Sequence, residues 1–353
     1  MTDDARKAKP APRWRTALKA GISIAVVGGI FIGVFPAIAD YSEVWASIEA
    51  MTLLELATLV LVGAWNLVTY WFVMVAVLPG LRYRQAAVVN QASTAVSNTL
   101  PGGGAIGVGV SYAMYSSWGF TGSQFALATV VSGVWNNFIK LGLPVVALVA
   151  LAIFGEVGSG LLIASLVGIA VLVATVGAFA LMLRSTALAR RVGERAARIV
   201  NPLRRLVRRS EVSGWSDKAA AFCSKTAALV HDRWLRITVS SIISHLSLYF
   251  VLLIALRHVG ISESDIGWAQ VMAAFAFVRL ISALPITPGG VGVVELGYTA
   301  ALGIGLDDAM KAQVVAAVLV FRFITYFLPI PFGAGAYVFW RRNRSWRTAV
   351  REA

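Results

Sequence analysis

Runs of about 20 apolar residues recur along this chain, each long enough to cross roughly 30 Å of hydrocarbon as a helix. That feature leaves little choice of fold. Inside a bilayer the backbone's polar groups must be satisfied within the protein, so only helices and closed barrels span it. The runs are continuous rather than alternating, which argues against a β-barrel. Composition agrees, with 58% hydrophobic residues, 14% charged ones and a mean hydropathy of +0.76; a soluble domain needs a far more polar surface. The expectation is an all-α polytopic membrane protein. Its spans are expected at 16–38, 53–78, 124–153, 159–183, 237–259 and 312–340.

Charge sets the expected orientation. The formal net charge is +14, and 24 of the 31 basic residues lie in 1–19, 184–236 and 341–353. All three stretches flank apolar runs, the pattern of cytoplasmic loops and tails and not of a nucleic-acid surface. The loop after the first span carries Asp40, Glu43 and Glu49 with no Lys or Arg, and so reads as outside. Residues 1–15 and 341–353 form basic cytoplasmic tails around one transmembrane domain, 16–340. Cys223 is the only cysteine, and the three histidines are scattered, so no disulfide framework, metal or cofactor is expected.

Two stretches do not read as simple spans. Residues 87–119 must begin and end inside, and 267–306 must begin and end outside. Each breaks near its middle, at Pro101-Gly102-Gly103-Gly104 and Pro288-Gly289-Gly290. The arms around the first break, about 14 residues each, reach only about 21 Å as helix, too short to cross. Both are read as re-entrant hairpins dipping to mid-membrane from opposite faces; the alternative, a pair of short, tilted spans per stretch, fits the same charge pattern.

The hairpins are alike. Ile106-Gly107-Val108 aligns with Val291-Gly292-Val293, and Leu143-Pro144 with Leu328-Pro329, which places Asn137 opposite Arg322. Each half (about 53–153 and 237–340) reads as span, hairpin, span. The halves run in opposite directions, giving an inverted-topology repeat of the kind secondary transporters use around a midplane site.

An ionisable residue at membrane depth is costly and needs a partner, water or a function. Four stand out: Lys140, one turn after Asn136; Arg279 before the second break; Glu295 after it; and Arg322, one turn before Tyr326. A buried ion pair between Glu295 and an arginine is the structural reading. The half-helix after each break exposes free N–H groups and a positive dipole end, suited beside Arg279 and Arg322 to an anionic head group. Between 184 and 236, Leu188, Val192, Ile199, Leu203 and Leu206 recur at helical spacing among arginines. That predicts an amphipathic helix, interrupted at Pro202, lying on an anionic inner leaflet.

The stretches Asn98-Thr99-Leu100-Pro101-Gly102-Gly103-Gly104, Leu284 to Glu295 and Phe321 to Pro329 resemble signatures of the lysylphosphatidylglycerol synthase transmembrane family, also called flippase-like. The resemblance covers about residues 50–340. The first-half motif departs from the family, with Gly-Ala-Ile where a tighter glycine pattern is usual. The best-known members of this family fuse the membrane region to a cytosolic aminoacylating domain. Here 13 residues follow Trp340, so the expectation is lipid handling without aminoacyl transfer. The resemblance points to Pro288, Gly289, Gly290, Glu295 and Arg322, and to a bacterial cytoplasmic membrane.

The function expected is transport of an anionic phospholipid or polyprenyl-phosphate-linked lipid between leaflets. The candidate head-group residues are Arg279, Arg322, Glu295, Lys140, Asn137, Asn98 and Tyr326. The expected partners are anionic lipids and cell-envelope biosynthesis proteins. Two alternatives are a membrane glycosyltransferase using a lipid-linked sugar, with Asp40 or Glu43 as its carboxylate, and a non-transporting scaffold recruiting envelope enzymes through 184–236.

Overall fold

The computed structural model describes residues 40–100, 103–154, 159–206, 210, 213–282, 287, 290–343 and 346. Among them every regular element is helical. The first span, 16–38, and the Pro101-Gly102 and Pro288-Gly289 pairs lie outside the described residues.

Five helical stretches are long and apolar enough to cross a membrane, and they coincide with the other five expected spans. The first, α2 (Leu53–Val77), follows a short helix, α1 (Tyr41–Glu49). Thr52 and Glu55 cap it reciprocally: the Thr52 N–H donates to the Glu55 carboxylate at 2.7 Å, and the Glu55 N–H to the Thr52 hydroxyl at 3.3 Å. This satisfies donors that the first turn otherwise leaves open. At 25 residues it is about 37 Å long, enough for the hydrocarbon core.

Two short helices follow, α3 (Tyr83–Thr99) and α4 (Gly103–Ser117), folded against each other across the first break. A Cβ at Gly103 would lie 2.5 Å from the Val96 carbonyl oxygen, so the two backbones are in direct contact there. Two spans come next, α5 (Gly122–Phe154) and α6 (Ser159–Arg184). No residue in the apolar window of α6 is buried, as expected of a peripheral span facing lipid on most sides.

The basic segment departs from expectation in two ways. Its amphipathic helix, α7 (Thr186–Leu206), runs through Pro202 without interruption. Pro202 lies in the last turns, where the loss of one backbone donor leaves the rest of the helix intact. The remainder of the segment is no separate unit: α8 runs unbroken from Trp215 to His258, 44 residues. Its first turns pack against α7, where a Cβ at Gly193 would meet the Trp215 carbonyl oxygen at 2.5 Å. The expected outer loop after the first span is also partly helical. It contains α1, whose Val44 is buried against α11.

After α8 come the short α9 (Trp268–Ile281) and α10 (Val293–Leu302), flanking the second break and packed together. Gly290 and Gly292 lie between them with φ of +71° and +83°, values that side-chain-bearing residues adopt only under strain. The last span is α11 (Asp308–Arg322), a π-helical turn (Phe323–Phe327) and α12 (Pro329–Arg342). Pro329 has no N–H to continue the ladder, and the preceding Leu328 N–H reaches back five residues to the Phe323 carbonyl at 2.8 Å. The matching Pro144 sits inside an unbroken α5.

Helix pairing is reciprocal between the halves. The two leading spans, α2 and α8, pack on each other. The first arm of the first hairpin, α3, packs on α12, and the first arm of the second, α9, packs on α5. Polar contacts join the apolar spans: Asn66 donates to the Ser244 carbonyl at 3.1 Å and to the Ser247 hydroxyl at 2.7 Å. Such bonds hold helices together where lipid removes the hydrophobic drive for association.

Candidate functional site

Where these helices meet they leave a cavity of about 610 Å³. Spans, both arms of the first hairpin and both arms of the second contribute to its wall. Its chemistry is unusual among apolar spans, with Lys140, Arg279 and Arg322 reaching the lining and no Asp or Glu there among the described residues. Much of the remaining wall is hydroxyl or amide: Asn90, Ser93 and Ser97 on α3, Ser132 and Asn136 on α5, Ser282 beyond α9.

Arg322, 8% exposed, closes the α11 segment immediately before the π turn. Its Nε donates to the Glu295 Oε1 at 2.7 Å, and its guanidinium lies 4.4 Å from the centre of the Tyr326 ring. Glu295, 1% exposed, sits in the first turn of α10 and turns its other oxygen to the Gly292 N–H at 2.7 Å. One carboxylate thus neutralises the arginine and caps the half-helix after the second break. Two ions taken from water need this degree of satisfaction to be tolerated. Glu295 is absent from the lining, so it acts on the cavity through Arg322.

Tyr326 extends this assembly to the first hairpin. Its hydroxyl donates to the Asn98 carbonyl at 2.6 Å, and the Asn98 side-chain amide donates to the Tyr326 carbonyl at 3.2 Å. Asn98 is in the last turn of α3, just before the first break, and lines the cavity.

Lys140 and Arg279 are held differently. Lys140 lies mid-span on α5 and Arg279 near the end of α9, on helices packed together. Arg279 has an Nε buried without a hydrogen-bond partner among the described residues. Gly104 borders the cavity, and a side chain there would meet nothing within 4 Å. Gly290 has no such room, because a Cβ would lie 2.8 Å from Val294.

Asn137, selected by its alignment with Arg322, is exposed and outside the lining, whereas its neighbour Asn136 faces in. Lys140 is four residues from Asn136 and shares that helix face. Several lining residues were not singled out from sequence, notably Asn66, Tyr70, His245, Tyr298 and the α3 stripe. The stripe had a readable signal: Asn90, Ser93 or Thr94, and Ser97 or Asn98 recur at helical spacing, in a helix whose only branched aliphatic residues are Val88, Val89 and Val96. Asp40, a candidate carboxylate in the expected outer segment, serves as the α1 N-cap, accepting from the Ser42 N–H and hydroxyl at 2.7 Å each. Those bonds hold its carboxyl below the usual carboxylate range.

Among curated proteins, no match to the chain is found. A family model described as the lysylphosphatidylglycerol synthase TM region matches residues 20–333, and with most of its length covered the chain belongs to that family.

Proposed function

We propose that this protein moves an anionic lipid between membrane leaflets, with the cavity as its head-group site. The observation that carries the reading is a lining with three cations and, among the described residues, no carboxylate, between helices long and apolar enough to span the bilayer. Isolated cations at that depth are strongly disfavoured, so an uncompensated pair points to a ligand that brings the counter-charge. The reciprocal packing of α3 on α12 and α9 on α5 supports the inverted repeat, and hence alternating access of one half against the other. In this reading 83–117 and 268–302 are re-entrant hairpins. Both termini and 184–236 are cytoplasmic, on the charge distribution.

Glu295 holds Arg322 in place, and Tyr326 with Asn98 couples that arginine to the first hairpin. Arg279 and Lys140 supply the free charge. The test is leaflet exchange of a fluorescent phosphatidylglycerol in proteoliposomes, measured for the wild type and for R279Q. Exchange well above that of empty vesicles, lost in R279Q, is expected. Exchange no faster than in empty vesicles would sink the proposal.

A further inference from the structure

We infer that the cavity selects a head group ending in a phosphate monoester, a dianion, over the single charge of a phosphodiester. This selectivity rests on the proposed reading of the cavity as an anionic-lipid site and narrows its substrate class.

Charge balance within the cavity points to it. Among the described residues three cations reach the lining and no carboxylate does. Glu295, 2.7 Å from Arg322, cancels one of the three. Lys140 and Arg279 remain, both without a salt bridge among the described residues, on helices that pack together. Two like charges in a low-dielectric region repel, and their attraction to a counter-ion is stronger there than in water. A phosphodiester brings one negative charge and leaves a cation uncompensated. A phosphate monoester, whose second ionisation lies near pH 6, brings about −1.5 to −2 at neutral pH and matches both cations. A zwitterionic head group brings its own cation and is the worst match. Geometry agrees with the count. A terminal phosphate has three free oxygens, and Ser132 and Asn136, on the same helix as Lys140, border the same space as the two cations. Arg279 lines this space, and its buried Nε has no hydrogen-bond partner among the described residues.

The test is binding to the purified full-length protein in detergent, by calorimetry. The probes are dioctanoyl phosphatidic acid, a monoester, dioctanoyl phosphatidylglycerol, a diester, and inorganic phosphate. The two lipids share acyl chains, so their difference reports the head group. Phosphatidic acid is expected to bind about tenfold more tightly than phosphatidylglycerol, the scale of one extra charge-assisted bond. K140Q and R279Q should each erase most of that preference, while K140R keeps it. Thermal melts identify any variant that fails to fold, and the wild-type preference is decisive by itself. Equal binding of the two lipids overturns the monoester inference and leaves the anionic-lipid reading standing. A preference unchanged in folded K140Q and R279Q also overturns it, because the discriminating site then lies elsewhere. Inorganic phosphate binding as tightly as phosphatidic acid overturns the lipid source, and binding of neither lipid overturns the head-group reading itself.

Discussion

Arg322 and Arg279 reach one cavity from the second half of the chain, yet under opposite regimes. Arg322 is enclosed by Glu295 at 2.7 Å, by the Tyr326 ring and by the hairpin that Glu295 caps. Arg279, together with Lys140 from α5, borders the same space with no carboxylate in the lining among the described residues. The difference separates two jobs that sequence alone presents as one row of intramembrane charges. A compensated charge is a fastener, and its loss is felt by the fold. An uncompensated one raises the energy of the empty protein and is tolerated where a ligand repays it.

That comparison breaks most sharply at Glu295. Glu295→Gln should destabilise the protein by about 3–5 kcal/mol, the cost of leaving one buried ion without its partner. Thermal unfolding in detergent would measure it; a melting temperature unchanged from wild type removes the fastener role. The double variant Glu295→Gln, Arg322→Gln should recover part of the stability without recovering transport.

A smaller loss is expected at the hairpin bend. Gly290→Leu places a side chain at φ +71° and against Val294, where backbone strain costs about 1–3 kcal/mol. Gly104→Ala, by contrast, meets open space and should be close to neutral in stability. Equal melting points for the two variants would contradict the packing described for the second break.

For the free cations the expected sign reverses. Lys140→Gln and Arg279→Gln should leave stability unchanged within about 0.5 kcal/mol or raise it, since neither breaks a salt bridge. Both should nevertheless slow exchange of a labelled anionic lipid in proteoliposomes. A large loss of stability in either variant would place that residue among the fasteners.

The smallest effect lies outside the membrane. Asp265 accepts from the Ser262 hydroxyl at 2.6 Å and the Ser262 N–H at 2.8 Å, bonds that hold its carboxyl below the usual range. A carboxyl lowered in the folded state stabilises the turn at neutral pH. That contribution is lost as pH falls below about 4, the ordinary carboxylate range. Hydrogen exchange at Ser262 should quicken on acidification, with little change in the spans. Asp265→Asn should make that exchange insensitive to pH once the intrinsic rate is corrected for.

The sequence determined by itself what depends on local chemistry. Apolar run length located the spans, as at 53–78 and 159–183, because a helix in lipid satisfies its backbone without help from the rest of the chain. The proline-glycine clusters marked where α3 gives way to α4 and α9 to α10, because those residues restrict the backbone wherever they occur. Lys140, Arg279, Glu295 and Arg322 were conspicuous because charge in hydrocarbon is costly whatever surrounds it. The tertiary structure decided everything that turns on which helix faces meet. It brought Glu295 to Arg322, 27 residues away, and Asn98 to Tyr326, 228 residues away. It turned Asn136 inward and Asn137 out, a rotation of about 100° that an alignment between halves does not carry. The basic segment shows the same division: its charge was legible, but its continuation into the 44-residue α8 and the passage of α7 through Pro202 were not. Charge records which side of a membrane a segment favours, but not where one helix ends and the next begins. Only that assembly of distant faces leaves Lys140 and Arg279 without a salt bridge among the described residues, beside a cavity of about 610 Å³.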